Sequence, residues 1–145
     1  MASPPSPPAP GRRGVVAVIQ RANRYLVIRR AAKVIAPGRL STPGGGMEPG
    51  ESEQQTLIRE MEEELGVVAE PVEKIWESVT PWKVEIAWWS AKLAPAARLR
   101  PNPEEVAAVS WLAFEELQGR EELLESNREF LAYLKSVERT QSEAR

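Results

Sequence analysis

The segment GGGMEPGESEQQTLIREMEEELGV, residues 44–67, constrains the fold more than any other part of this 145-residue chain. It opens on three glycines and packs five glutamates between Glu53 and Glu64. Ser52, followed three residues later by Gln55, is a capping-box start, and Gly66 suits the left-handed residue after a helix end. The spacing predicts a helix from Glu53 to Leu65. Stepping about 100° per residue from Leu57 puts Leu57, Met61, Leu65 and Ile58 on one apolar stripe, expected to face the core. The same rotation gathers Glu60, Glu63 and Glu64 on one arc beside that stripe, while Glu62 projects elsewhere. Like charges at helical spacing repel by roughly a few tenths of a kcal/mol per pair, so the arc calls for compensation. Three carboxylates on one arc make hard oxygen ligands of the kind that hold Mg²⁺ or a similar ion. Taken alone, the cluster also fits a solvated acidic helix face.

Composition narrows the chemistry. The chain has no cysteine and no histidine, which excludes disulfides, thiolate nucleophiles and zinc-thiolate sites and removes the usual general base. Any hydrolytic chemistry would have to run on carboxylates, lysine, tyrosine or a metal-bound water. A net charge of −2 argues against non-specific nucleic-acid binding, which needs a basic surface. No apolar run approaches the length of a membrane span or a signal-peptide core, so a cytoplasmic protein is the default expectation. The length suits one domain with its own core. Monomer and homodimer both stay open.

The first ten residues hold five prolines and nothing to bury, so residues 1–12 read as a disordered or polyproline-type tail. The domain is expected over 13–136. VVAVIQ (15–20) and RYLVIRR (24–30) read as buried strands around a turn at RAN. Residues 31–50 carry three prolines and five glycines and read as a loop, with a brief strand near Leu40. VEKIWESV and WKVEIAWWSAKL read as strands joined near Thr80 and Pro81. A further strand is expected at AVSWLAF (108–114), then one short helix and a C-terminal one. The polar residues 137–145 are expected to fray. Strands and helices in this order suggest an α+β chain, an α/β/α sandwich around a mixed sheet.

Written as a pattern, the segment reads G-x5-E-x7-R-E-U-x-E-E-x-G-U, with U a bulky aliphatic residue. Gly45, Glu51, Arg59, Glu60, Glu63, Glu64 and Gly66 fill the fixed positions, and Met61 and Val67 the apolar ones. Seven fixed residues at ~7% usage each give a chance match on the order of 10⁻⁸ per window. The stretch resembles the Nudix box at every fixed position. The resemblance implies a Nudix α/β/α sandwich with the box as loop-helix-loop. It also implies Mg²⁺-dependent, or Mn²⁺-dependent, hydrolysis of a phosphoanhydride in a nucleoside diphosphate derivative. It further implies that Glu60, Glu63 and Glu64 are metal ligands, joined by the Gly44 carbonyl, with Arg59 and Glu51 an ion pair holding the loop on the helix.

Beyond the box, the chain resembles the MutT-type nucleoside triphosphate pyrophosphohydrolases, possible substrates of which include 8-oxo-dGTP. IRRAA (28–32), with PGG at 43–45, is similar to the segment ahead of the box in that branch and implies Arg30 on a substrate phosphate; a strand-end surface arginine is the alternative. KVEIAWW (83–89) is similar to the strand flanking the nucleotide, with Lys83 in reach of it. Alternation lets at most one of Trp88 and Trp89 face the site, and core packing suits either. Glu105, six residues before Trp111, matches a family glutamate that reaches the metals, with its neighbour Glu104 or a plain loop glutamate as the alternatives; Glu60 and Glu105 are both candidates for general base. Asn127 matches an asparagine that reads the purine edge, or is a helix N-cap. Thr42 departs from the bulky aromatic expected before PGG. Pro81 matches a proline of the ADP-ribose or sugar-nucleotide branch. A silent nucleotide-binding domain is disfavoured by the complete acidic set.

Overall fold

A computed structural model describes residues 12–143. The proline-rich tail, Arg12 apart, lies outside the described residues, as do 144 and 145. The elements among the described residues are β1 (Arg13–Val18), β2 (Gln20–Arg21), β3 (Arg24–Arg30), β4 (Leu40–Ser41), β5 (Gly44–Gly46), α1 (Glu53–Leu65), β6 (Ala69–Val79), β7 (Glu85–Leu93), β8 (Val106–Ala113), α2 (Phe114–Gln118) and α3 (Glu125–Glu143). The turn at RAN is made by Ala22 and Asn23, with φ of 50° and 62°, the two left-handed residues that match the twist of a tight hairpin.

The strands form two sheets. One, ordered β5-β1-β7-β6, is mixed, with β1 and β7 parallel and the other pairs antiparallel. The second is antiparallel, with β3 flanked by β2, β4 and β8. Period-2 alternation sends successive side chains to opposite faces. Val15 and Ala17 of β1, Leu26 and Ile28 of β3, and Ala87 and Ala91 of β7 cluster with Leu57, Met61 and Leu65 of α1. Their neighbours Val16, Val18, Ile86 and Trp88 turn the other way and pack on Phe130 and Tyr133 of α3. Trp88 and Phe130 stack with ring centroids 4.5 Å apart. Helix, strands, helix: the α/β/α sandwich is as expected.

Helix α1 has the expected caps. Ser52 Oγ accepts from the Gln55 N–H at 3.1 Å, the Ser52 N–H donates to Gln55 Oε1 at 2.8 Å, and Gly66 closes the helix at φ 62°. Glu53 ties the helix start to the mixed sheet, accepting from Arg13 Nη2 at 2.9 Å, Lys74 Nζ at 3.3 Å and Trp89 Nε1 at 2.9 Å.

Two expectations need correction. Ile58 is 39% exposed, because the buried face of α1 is rotated toward the glutamates and comprises Thr56, Leu57, Glu60, Met61, Glu64 and Leu65. Residues 44–46 are a strand rather than loop, pairing with β1 as Gly46↔Gly14, Gly45↔Val15 and Gly44↔Val16. Glycine is a poor strand former, yet here it lets elements approach closely: a Cβ on Gly44 would lie 2.2 Å from the Val15 carbonyl oxygen, and one on Gly45 2.2 Å from the Glu60 carboxyl carbon. Helix α3 runs to Glu143. No helix among the described residues is long and apolar enough to cross a membrane.

The β1–β5 contact yields a stability test. Gly44→Ala drives a methyl into β1 backbone and should cost about 2 kcal/mol or more. At Gly46 the nearest atom to a new Cβ is Arg12 Nη2 at 3.9 Å, so Gly46→Ala should stay within about 0.5 kcal/mol. Denaturant titration of the two variants checks the contrast.

Candidate active site

On the α1 side of the strands lies a cavity of about 340 Å³. Glu60 and Glu64 reach it from α1, Glu105 from the residue before β8, and Gly44 and Gly45 from β5. Ile28 and Arg30 enter from the end of β3, and Val34 and Ile35 from the loop that follows. Residues far apart in sequence thus meet because β3, β5, α1 and the approach to β8 converge at one end of the sandwich.

Arg59 holds this end together. Its Nε and Nη2 grip Glu51 at 2.7 and 2.9 Å, a bidentate pair, and Nη2 also donates to the Gly46 carbonyl at 2.9 Å. Nη1 donates to Glu60 Oε1 at 3.0 Å and to Glu63 Oε2 at 3.2 Å. Charge-assisted, two-pronged bonds of this kind are strong and fix orientation as well as distance. Glu51 also accepts from the Glu48 N–H at 2.8 Å and from Thr56 Oγ1 at 3.0 Å. The Arg59 guanidinium, with these donors, holds the Glu51 carboxyl down at about 2. The loop over 46–51 is thereby clasped to α1.

The carboxylates facing the cavity are shifted the other way. Burial, and then the charge of Glu60, push the Glu64 carboxyl up to about 8, although the Gly44 N–H donates to it at 3.0 Å. Burial is also the main cause raising Glu60 and Glu105, which other glutamates raise further. Glu105 Oε2 is buried with no hydrogen-bond partner. Glu63 is the open member, its side chain 48% exposed. As the side chains stand, no three carboxylates among the described residues gather closely enough to hold a metal ion, since Arg59 draws Glu60 and Glu63 while the Gly44 N–H holds Glu64. The donor chemistry nonetheless fits a hard divalent cation: oxygen ligands alone, buried and mutually repelling, one with a free lone pair.

The other predicted residues divide. Arg30 lines the cavity and donates from Nε to the Ile35 carbonyl at 2.6 Å, so it is no free surface arginine. Lys83 is exposed in the β6–β7 turn at φ 61° and does not line the cavity. Asn127 is 5% exposed and donates from Nδ2 to Thr42 Oγ1 at 2.8 Å. It lies inside the first turn of α3 rather than at its cap, and outside the cavity lining. Thr42, which replaces the expected aromatic, is therefore its partner. Trp88 is core, and Trp89 serves Glu53. Sequence reasoning missed Val34 and Ile35. Their signal was a pair of adjacent bulky apolar residues inside a loop otherwise rich in proline, glycine and alanine.

Fold, box and acidic cavity together define a Nudix domain, and the NUDIX domain family model matches residues 10–134. The chain belongs to that family. It is 42% identical over 55 residues to the CTP pyrophosphohydrolase of Escherichia coli (strain K12), covering 38% of this chain and 41% of that protein. It is 39% identical over 69 residues to the nucleoside triphosphatase NudI of Enterobacter sp. (strain 638), covering 47% and 45%. The chain thus spans under half the length of these curated relatives. The crystal structure of a MutT protein from Methanosarcina mazei Go1 superposes with a TM-score of 0.76 at 23% identity, covering 92% of this chain and 99% of that one.

The raised Glu64 carboxyl fixes the sign of a pH dependence. Its pKa in the folded protein, about 8, exceeds the ordinary 4.5, so folding favours the protonated form. Its contribution to stability is complete below about pH 4.5 and is lost as pH rises toward 8. Metal-free protein should lose on the order of a few kcal/mol across that window through this group. Glu64→Gln should flatten the loss and be the more stable protein at pH 8 in chelator, as thermal melts from pH 5 to pH 9 will show.

Proposed function

We propose that the chain hydrolyses a phosphoanhydride of nucleoside triphosphates, releasing a nucleoside monophosphate and pyrophosphate. The observation that carries this is a cavity in which Glu60, Glu64 and Glu105 face Arg30, in a chain without histidine or cysteine. A polyphosphate brings several negative charges to an acidic wall, so divalent cations must lie between them. Glu60, Glu63, Glu64 and Glu105, with the Gly44 carbonyl, would hold Mg²⁺ or Mn²⁺. When bound, such an ion polarises phosphoryl oxygens and lowers the pKa of a water.

The chain's own groups divide the remaining work. Arg59 positions Glu60 and Glu63. Arg30, its Nε engaged by the Ile35 carbonyl, offers its terminal nitrogens to a phosphate. Glu60 and Glu105 are the candidates to take the proton from water, and Glu105 has the free buried oxygen. Asn127, joined to Thr42, fixes the chain that leads into β5. Likeness over short segments to a CTP pyrophosphohydrolase and to a nucleoside triphosphatase supports triphosphates; 8-oxo-dGTP belongs to the proposed range through the MutT-type resemblance alone, and a cytoplasmic nucleotide pool suits these substrates. The ADP-ribose alternative rests on Pro81, which is exposed in the β6–β7 turn away from the cavity.

Turnover of a nucleotide panel, with pyrophosphate and phosphate read separately, should require Mg²⁺ or Mn²⁺ and cease with EDTA. Glu63→Gln should lower kcat on the order of a hundredfold or more with the fold intact. Glu62→Gln should stay near wild type, because Glu62 lies off the arc. Full turnover in chelator, or equal damage from Glu62→Gln, would overturn the assignment.

A further inference from the structure

Apart from the backbone of Gly44 and Gly45, the cavity has two kinds of lining. Arg30, Glu60, Glu64 and Glu105 are charged, while Ile28, Val34 and Ile35 are aliphatic. No neutral amide or hydroxyl side chain is among them. The aliphatic side is built by a loop of defined shape. The Arg30 N–H donates to the Arg39 carbonyl and the Gly38 N–H to the Arg30 carbonyl, both at 2.9 Å. Arg29 Nη1 also donates to the Gly38 carbonyl at 2.9 Å. Ala36 and Gly38 take left-handed conformations, φ 55° and 77°. Arg30 Nε, bound to the Ile35 carbonyl at 2.6 Å, holds Ile35 at the cavity wall.

We propose that Val34 and Ile35 form the wall against which the nucleobase lies, and that the site therefore accepts purine and pyrimidine nucleotides alike. This rests on the nucleotide reading above. A substrate with a polyphosphate at one end and a flat, weakly polar ring at the other matches the two linings. Every base has a face that an aliphatic wall can cover, and selectivity needs hydrogen bonds to the base edge. An apolar pocket separates related ligands by about a hundredfold at most, whereas a hydrogen-bonding site reaches about 10⁴ or more. The one buried amide with edge-reading chemistry, Asn127, is committed to Thr42 and lies outside the lining. One turn along α3 from it, the stacked Trp88 and Phe130 fill the opposite face.

Calorimetry with Mg²⁺ and the non-hydrolysable α,β-methylene analogues of ATP, GTP, CTP and UTP tests this. The wild-type Kd values should span less than about a hundredfold. Ile35→Ser keeps the carbonyl that Arg30 binds; it should weaken all four analogues at least about fivefold, by similar factors, and leave inorganic triphosphate binding unchanged. Val34→Ser should do the same, and a thermal melt confirms that each variant is folded. A wild-type preference of a hundredfold or more overturns the proposal, as do variants that leave the four analogues unaffected or weaken triphosphate equally. Flat analogue binding without turnover of any nucleoside triphosphate would retire the hydrolase reading and keep the wall. Turnover with unaffected Ile35→Ser and Val34→Ser would retire the wall and keep the hydrolase. Failure of all four analogues to bind overturns both.

Discussion

One guanidinium carries the architecture of the active end. Arg59 reaches from the exposed flank of α1 to Glu51, the Gly46 carbonyl, Glu60 and Glu63. A lysine could not substitute, because a single ammonium lacks the planar fork that meets a carboxylate with two parallel bonds. Through Glu51, Arg59 fixes the loop; through Gly46 it fixes the end of β5; through Glu60 and Glu63 it decides where two acidic groups point. It also brings positive charge to Glu60 and Glu105, as Arg30 does to Glu64, in a cluster that burial makes costly to ionise.

That cluster opposes its own charging. Glu60, Glu64 and Glu105 all bind protons more tightly than isolated carboxyls. A fold optimised only for stability would place smaller neutral residues there, and local conflicts of this kind concentrate at functional sites. The conflict is confined to the cavity. At the other end of α1, the half-buried Glu53 meets Arg13, Lys74 and Trp89, and its carboxyl is lowered rather than raised. The same residue type on one helix thus serves as anchor or as reactive wall according to its neighbours.

How far this could be read from sequence depended on whether a feature is local. The caps of α1, the strands β1 and β3 and the turn between them are decided within a few residues, and the pattern of the box is contiguous. The strand β5 was invisible, since three glycines carry neither alternation nor strand propensity, and only pairing with β1 makes them a strand. Ile58 was misplaced because wheel geometry assigns buried faces by hydrophobicity, while the close approach of Gly45 draws Glu60 inward instead. The roles of Arg30 and Val34, and the pairing of Asn127 with Thr42, depend on contacts between distant segments, which no local period encodes.

The glycines and the Arg59 clasp leave the molecule unevenly open to change. Between Gly44 and Glu64 the chain is tied at several points by strand register, the helix cap and the arginine, so an insertion there would move the acidic groups relative to one another. The loop of Val34 and Ile35 touches the same cavity, but joins β3 to β4 and contributes none of the acidic residues. Its length and side chains can drift while the reactive wall stays in place. A lineage built on this frame could exchange one ligand preference for another by rewriting fewer than ten residues, with the chemistry inherited unaltered.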